Sequence, residues 1–268
     1  MPKKPEAYYR PEDISEALHY LSQPGTVPLG GGTKLLATEE GVADALVDLQ
    51  ALGLNGVGRQ GDRLSIGATV TLSDFAEYLQ KEFRNAPITP FLRKAIHQAG
   101  PNTYRNAATI GGTVASRLAD SELLAALLVL EAEVVLLSPQ SNKIGLDEFL
   151  NAAETPKGLI NEISIAWEDG QGSSERVART PADYPIVSIT AWKSADGALR
   201  LSATGLGPRP FRLTAAEASL QGERNEQMIG AAAAAAGDAN THPGDFRGDA
   251  AYRSEIAAVL TKRVLNQI

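Results

Sequence analysis

The chain contains no cysteine in its 268 residues. That excludes disulfides, thiolate nucleophiles and any iron–sulfur cluster ligated by this chain itself, and it fits a cytoplasmic protein. Histidine is scarce: His19, His97 and His242 lie far apart, without ligand spacing, so no metal site is expected. Basic charge is in deficit, with 25 Lys and Arg against 32 Asp and Glu, a formal net charge of −7. That balance argues against a nucleic-acid partner, whose binding surfaces are usually basic. No apolar run reaches the ~20 residues of a membrane span. The longest, Leu123 to Leu130, runs into Glu131 and Glu133. Lys3 and Lys4 have no apolar stretch behind them, so no secretory signal is expected. With 43% hydrophobic and 21% charged residues, the chain can build a core without covalent staples. Its length suits one large domain or two modest ones.

Glycine, by contrast, is concentrated where it tells most. One cluster reads Pro28-Leu29-Gly30-Gly31-Gly32-Thr33-Lys34-Leu35. The other reads Arg105-Asn106-Ala107-Ala108-Thr109-Ile110-Gly111-Gly112-Thr113. Each is expected to follow a segment that places it beside a strand end. Each removes side chains from the backbone next to a hydroxyl residue, as a chain does when its amides must approach a phosphate closely. Neither cluster is a Walker A loop or a Gly-x-Gly-x-x-Gly fingerprint. Taken singly, each reads equally as a tight turn using positive φ. The pair points to one large ligand containing a pyrophosphate.

Periodicity supplies the frame. Ile14, Ala17, Leu18 and Leu21 predict a helix over 12–22 with Pro11 near its first turn. Strands are expected at Ala45–Leu49, at Leu64–Val70 by alternation, at Glu133–Ser138 and at Ile163–Trp167. Ser73 reads as the N-cap of a helix presenting Phe75, Tyr78 and Leu79. A further helix is expected from Pro90, with Leu92, Ala95, Ile96 and Ala99 inward, stopping near Gly100-Pro101. Ser121–Leu130 reads as a wholly buried helix, and Asp147–Leu150 as a helical turn. Three strand-like runs follow, near Glu175–Arg179, Ile186–Lys193 and Leu199–Thr204, with Asp196-Gly197 as a hairpin turn. The alanine run 231–236 favours helix. Tyr252, Ile256, Val259, Leu260 and Val264 predict an amphipathic C-terminal helix. A boundary is expected near residues 168–174.

The loops and their surroundings carry a family resemblance. Gly31-Gly32-Thr33-Lys34-Leu35-Leu36 resembles the first flavin loop of the FAD-binding medium subunits of molybdenum hydroxylases, the xanthine dehydrogenase and carbon monoxide dehydrogenase type. Arg105 to Gly112 is similar to that family's second flavin loop. Leu124–Val135 looks like the helix and strand that follow it. Further marks are Leu46-Val47-Asp48-Leu49, Ser65-Ile66-Gly67-Ala68, Asp183-Tyr184-Pro185-Ile186-Val187 and Phe246-Arg247-Gly248 through Tyr252-Arg253 to Val259-Leu260. The resemblance spans nearly the whole chain in the family's order.

It implies an α+β fold: a two-subdomain, PCMH-type FAD-binding domain over 1–168, with subdomains of about 1–55 and 56–168, and a C-terminal domain of antiparallel strands and a helical bundle over 169–268. It implies FAD as cofactor, with Leu29, Gly30, Gly31, Gly32, Thr33, Lys34 and Leu35 on one side. Thr109, Gly111, Gly112, Thr113 and Ser116 would line the other. Thr113 stands where the family usually has Asn, and Lys34 where it commonly has an acidic residue. Ser121-Glu122 replaces a Ser-Asp pair, so either Asp120 or Glu122 would take the acidic contact. Ile160, Arg176 and Ile186 match positions toward the flavin ring. The implied activity is that of an oxidoreductase subunit. Its partners would be a molybdopterin-binding large subunit and a 2Fe-2S small subunit, with NAD or another acceptor taking the electrons. The competing readings are a non-catalytic assembly subunit with a degenerate flavin site and an unrelated nucleotide-phosphate enzyme. No phosphoryl-transfer or metal constellation in the sequence supports the last.

Overall fold

Four consecutive apolar or capped positions, Ala45 to Asp48, make the centre of the first sheet. The computed structural model describes residues 4–37, 43–138, 140–221 and 225–268. In it, β1 (Ala7–Tyr9), α1 (Ile14–Leu21), β2 (Thr26–Leu29) and β3 (Ala45–Asp48) build a parallel sheet of order β1-β3-β2. β3 is buried at all four positions, as a central parallel strand should be. Ala17, Ile14 and Leu18 of α1 join the apolar cluster that holds Val47 and Leu49. The helix starts later than Pro11 suggests, because the Asp13 carboxylate accepts from the Glu16 amide at 2.8 Å and fixes the N-cap. At the end of β3 the buried Asp48 accepts from the Gln50 amide at 2.9 Å and from the Tyr8 hydroxyl.

The second stretch contains β4 (Val57–Gln60), β5 (Arg63–Gly67), α2 (Leu72–Glu82), α3 (Ile88–Gln98), α4 (Asn102–Arg105), α5 (Ile110–Ser116), α6 (Glu122–Val129), β6 (Glu133–Ser138), β7 (Gln140–Gly145), α7 (Leu146–Asn151) and β8 (Leu159–Ala166). Its strands form an antiparallel sheet of order β4-β5-β8-β6-β7. Ile66 faces Ile163 and Leu64 faces Ile165 across β5 and β8, all fully buried. Two expectations change. Thr71, not Ser73, caps α2: its hydroxyl accepts from the Asp74 amide at 3.1 Å, while the Ser73 hydroxyl donates to Asn106 Oδ1 at 2.6 Å. α3 begins at Ile88, so Pro90 sits inside the first turn, where its missing N–H costs no helix bond. α6 is buried at every residue, as the sequence predicts.

The remaining elements include β9 (Gly170–Val177), β10 (Val187–Ser194), β11 (Leu199–Thr204), β12 (Phe211–Arg212), α8 (Thr214–Ala218), α9 (Glu226–Asp238) and α10 (Ala250–Leu265). The strands pair antiparallel in the order β12-β11-β10-β9. β10 is buried at seven of eight positions because helices cover both faces. Ile189 and Ala191 enter the cluster with Ala257, Leu260 and Val264 of α10. Trp192, on the opposite face, packs against Phe91 of α3 with ring centroids 5.3 Å apart and planes tilted by 46°. Ser202 of β11 donates to the Ala125 carbonyl of α6 at 2.8 Å.

The inner face of α10 differs from expectation. Tyr252 and Val259 are 37% and 42% exposed, while Arg253, Ala257, Leu260, Thr261, Val264 and Leu265 are buried. The hydrogen bonds of Arg253 set this rotation. Its guanidinium donates to the carbonyls of Ile186 (2.6 Å), Gly205 (2.8 Å) and Gly248 (3.2 Å) and to Asp245 Oδ1 (2.8 Å).

Packing groups the chain into two units. One comprises Met1–Tyr78, Pro101–Ser116 and Ala132–Ala166; the other comprises Leu79–Gly100, Arg117–Glu131 and Trp167–Ile268. Among the described residues no helix is long and apolar enough to cross a membrane.

Candidate cofactor site

The two glycine clusters meet within the first unit. The first cluster leaves β2 at Leu29 and turns through Gly32, whose φ of +70° lies in the left-handed region. A short 3-10 turn at Leu35–Ala37 follows, with the Leu36 amide on the Gly32 carbonyl at 3.0 Å. Gly31 is where the clusters touch: a Cβ there would stand 1.6 Å from the Ala107 carbonyl oxygen. Only glycine fits. The amides of Gly30, Gly31, Gly32 and Thr33 have no acceptor among the described residues. Four successive N–H groups without partners among the described residues are donors available to an anion.

The second cluster follows the helical turn α4 and lies beside the end of β5. It is held in place by backbone bonds to residues 68–72. The amides of Ile110 and Gly111 donate to the carbonyls of Val70 (2.9 Å) and Ala68 (3.0 Å), and the Leu72 amide donates to the Ala108 carbonyl (2.9 Å). Thr109 and Thr71 form an isolated bridge. The Thr109 hydroxyl accepts from the Gly112 amide at 3.1 Å, which leaves its own proton to donate outward. A Cβ on Gly30 would lie 2.9 Å from that oxygen. Thr109 therefore stands at the seam of the two clusters. Thr113 and Ser116 use their protons inside α5, on the carbonyls of Thr109 (2.9 Å) and Thr113 (2.7 Å).

A cavity of about 770 Å³ opens beside this seam, within the roughly 300–1,000 Å³ range of ligand pockets. Gly30, Thr109, Gly111 and Gly112 line one part of it; Leu18, Leu21, Val27, Phe149 and Ile160 line an apolar part. The structure thus brings Ile160 together with the glycine clusters. Leu29, Gly31, Gly32, Thr33, Lys34 and Leu35 belong to the first loop itself. The sequence does not mark the apolar wall. Leu18 and Leu21 carry the same periodicity as any core helix, so nothing in their pattern marks them as ligand-facing. Lys157, also lining the cavity, lies in the turn-rich run Thr155-Pro156-Lys157-Gly158, which reads as an ordinary loop.

Asp120, Glu122 and Arg176 are placed in the second unit. Asp120 lies 3.6 Å from Arg247. Glu122 Oε2 accepts from Arg176 Nη1 at 2.9 Å, and Arg176 also donates to the Asp183 carbonyl. Ile186 is 4% exposed and packs in the apolar cluster of that unit. Glu122 Oε1 is buried with no hydrogen-bond partner among the described residues. Burial pushes the Glu122 carboxyl up to about 7, against the pull of Arg176 and Lys94 and with a small push from Asp120. The folded chain therefore holds a proton that the unfolded chain releases near 4.5, so stability falls as pH rises from about 4.5 to 7. Glu122→Gln removes that dependence while keeping an acceptor for Arg176. In the FAD-free chain it is expected to match wild type at pH 4 and to exceed it by about 1–3 kcal/mol at pH 8. Urea denaturation at the two pH values measures this; equal wild-type stability at both would contradict the protonated-carboxyl assignment.

Comparison with known proteins gives concordant likenesses. The family described as the FAD binding domain in molybdopterin dehydrogenase matches residues 3–167, and the one described as the CO dehydrogenase flavoprotein C-terminal domain matches residues 176–268. The chain is 27% identical over 278 residues to the glyceraldehyde dehydrogenase medium chain of Sulfolobus acidocaldarius, covering 98% of each. It is 26% identical over 281 residues to the carbon monoxide dehydrogenase medium chain of Hydrogenophaga pseudoflava, covering 97% of this chain and 95% of that one. A solved structure of the carbon monoxide dehydrogenase from Hydrogenophaga pseudoflava, in a form lacking the Mo-pyranopterin moiety, superposes with a TM-score of 0.90 at 26% identity, covering 100% of this chain and 98% of that one.

Proposed function

Since the chain belongs to the family of FAD-binding medium subunits of molybdenum hydroxylases, we propose that it receives electrons from an iron–sulfur partner and passes them from FAD to NAD⁺ or another acceptor. The observation that carries the cofactor's placement is the run of four unpartnered amides, Gly30 to Thr33, packed against the second glycine cluster beside the cavity. That donor set fits the charge of a pyrophosphate, and amides can hold an anion without bringing in a counter-ion. In this reading the amides of Gly30–Thr33 and the Thr109 hydroxyl bind the pyrophosphate. The wall formed by Leu18, Leu21, Val27 and Phe149 excludes water from the remainder of the cofactor within the cavity.

Bound FAD supplies the redox chemistry, taking electrons singly and releasing them in pairs. The chain's own contribution is to hold, orient and shield. With no cysteine available, cluster ligands must come from another chain, so the reading includes a 2Fe-2S small subunit and a molybdopterin-binding large subunit where the substrate is oxidised.

The test is direct. The purified chain, incubated with FAD and passed through gel filtration, is expected to retain one reducible FAD per chain. A folded chain that emerges colourless would overturn the reading and favour the assembly role. Co-purification from the host, followed by molybdenum and iron analysis, checks the partners.

A further inference from the structure

Lys34 closes the first glycine cluster, and the structure gives it a partner. Its Nζ lies 5.5 Å from the centroid of the Tyr104 ring, the geometry of a cation–π contact. Tyr104 belongs to α4, immediately before the second glycine cluster, and its carbonyl accepts from the amides of Ala107 (3.1 Å) and Ala108 (2.8 Å). Ala107 is the residue whose carbonyl meets Gly31. The two clusters are therefore joined at three points: Gly30 against Thr109, Gly31 against Ala107, and Lys34 over Tyr104. The first two depend on the absence of a side chain. The third joins two half-buried side chains, so it is the point at which strength can be adjusted.

We infer that Lys34 and Tyr104 form a latch that holds the first loop against the second, fixing the loop that carries the Gly30–Thr33 amides before a dinucleotide arrives. Lys34 is a positioning residue in this scheme. It is not among the residues lining the cavity, and it acts through the loop it anchors. The physical effect is preorganisation: a donor set already fixed loses less conformational freedom on binding. An acidic residue in place of Lys34 could not make this contact, because the ring face is itself electronegative. The inference rests on the proposed cofactor reading for its ligand, but the latch can be tested without one.

Two measurements separate these. In the unliganded full chain, hydrogen exchange of the Leu36, Ala37, Ala107 and Ala108 amides reads the latch itself. Lys34→Met and Tyr104→Leu are each expected to raise exchange at both loops. Lys34→Arg and Tyr104→Phe keep the cation and the ring and are expected to restore wild-type protection. In titrations with FAD, Lys34→Met and Tyr104→Leu are each expected to weaken binding by about 2- to 5-fold, the size of an exposed cation–π contact. The double variant is expected to bind no worse than either single one. Unchanged exchange in both single variants, or strictly additive losses in affinity, would overturn the latch. A wild-type chain that takes no FAD would instead overturn the cofactor reading, and exchange would still decide the latch.

Discussion

Gly31→Ala abolishes FAD retention while leaving the unliganded chain folded: that is the expected result with the largest functional effect. A single methyl group is enough because the obstacle is backbone. The new Cβ would lie 1.6 Å from the Ala107 oxygen and 2.6 Å from its carbonyl carbon, and a carbonyl cannot swing aside as a flexible side chain can. The two loops must part, and the Gly30–Thr33 amides are displaced from the second cluster. Losing two charge-assisted hydrogen bonds at about 1.5–3 kcal/mol each lowers affinity by on the order of 100-fold or more. The fold should tolerate the change, since Gly31 lies in a half-buried loop outside the regular elements. Gly111→Ala supplies the contrast. Its Cβ would lie 2.7–2.9 Å from three atoms of Ala68, in a buried seam where α5 packs against the end of β5. There the substitution is overpacking, expected to cost about 1–3 kcal/mol of stability before cofactor binding is considered. Titration with FAD and urea denaturation distinguish the two variants. Wild-type FAD affinity in Gly31→Ala would refute the apposed-loop site.

The contrast also marks what the sequence could tell. Both clusters are legible as glycine-rich, and their order supports one ligand held from two sides. Which glycine answers to the ligand and which to the fold is not legible, because Ala107 and Ala68 become neighbours only through tertiary packing. Strands with alternating apolar residues, such as β5 and β8, are readable since one face must be buried. β7 is not: Gln-Ser-Asn-Lys-Ile-Gly is almost wholly exposed at a sheet edge, and its pairing with β6 rests on backbone bonds. β9 begins five residues earlier than its apolar pattern suggests. Its Gly172 reads as a strand breaker, yet a Cβ there would lie 2.5 Å from the Phe91 ring, so the aromatic pair Phe91–Trp192 requires the glycine. The acidic residues after the second cluster are legible as candidates by position. The hydrogen bond that engages Glu122 with Arg176 joins residues 54 positions apart and has no local signature.

Arg253 is the residue that sequence reading places least well, and its replacement carries the largest expected effect on stability. In the sequence it is one charge on a helix, and helical charges usually face water. In the structure it is fully buried. It connects the residue before β10, the residue after β11 and the turn 245–248 to the helix that carries it. The strand ends are already close: Gly205 has φ +74° and its Cβ would lie 2.0 Å from the Ile186 oxygen, so two carbonyls converge on a site that only a multidentate donor can satisfy. Arg253→Met fills much of the volume but leaves those carbonyls and Asp245 without their donor. The expected loss is about 3–5 kcal/mol, the cost of breaking a buried charged network by removing one partner. Arg253→Lys keeps the charge but not the fork, and should recover only part of the loss. Acid supplies an independent check. Although burial opposes it, the Arg247 amide and the side chains of Arg247 and Arg253 hold the Asp245 carboxyl well below the usual carboxylate range. A depressed carboxyl contributes stability that is present above its unfolded value of 3.8 and is lost as pH falls toward its folded one. The gap between wild type and Arg253→Met should therefore be full at neutral pH and narrow below pH 3.8 as Asp245 in the wild type takes up its proton. Urea unfolding across that range measures it; a gap of less than about 1 kcal/mol at pH 7, the size of an ordinary exposed ion pair, would mean that the buried guanidinium is not what fastens these strand ends to the terminal helix.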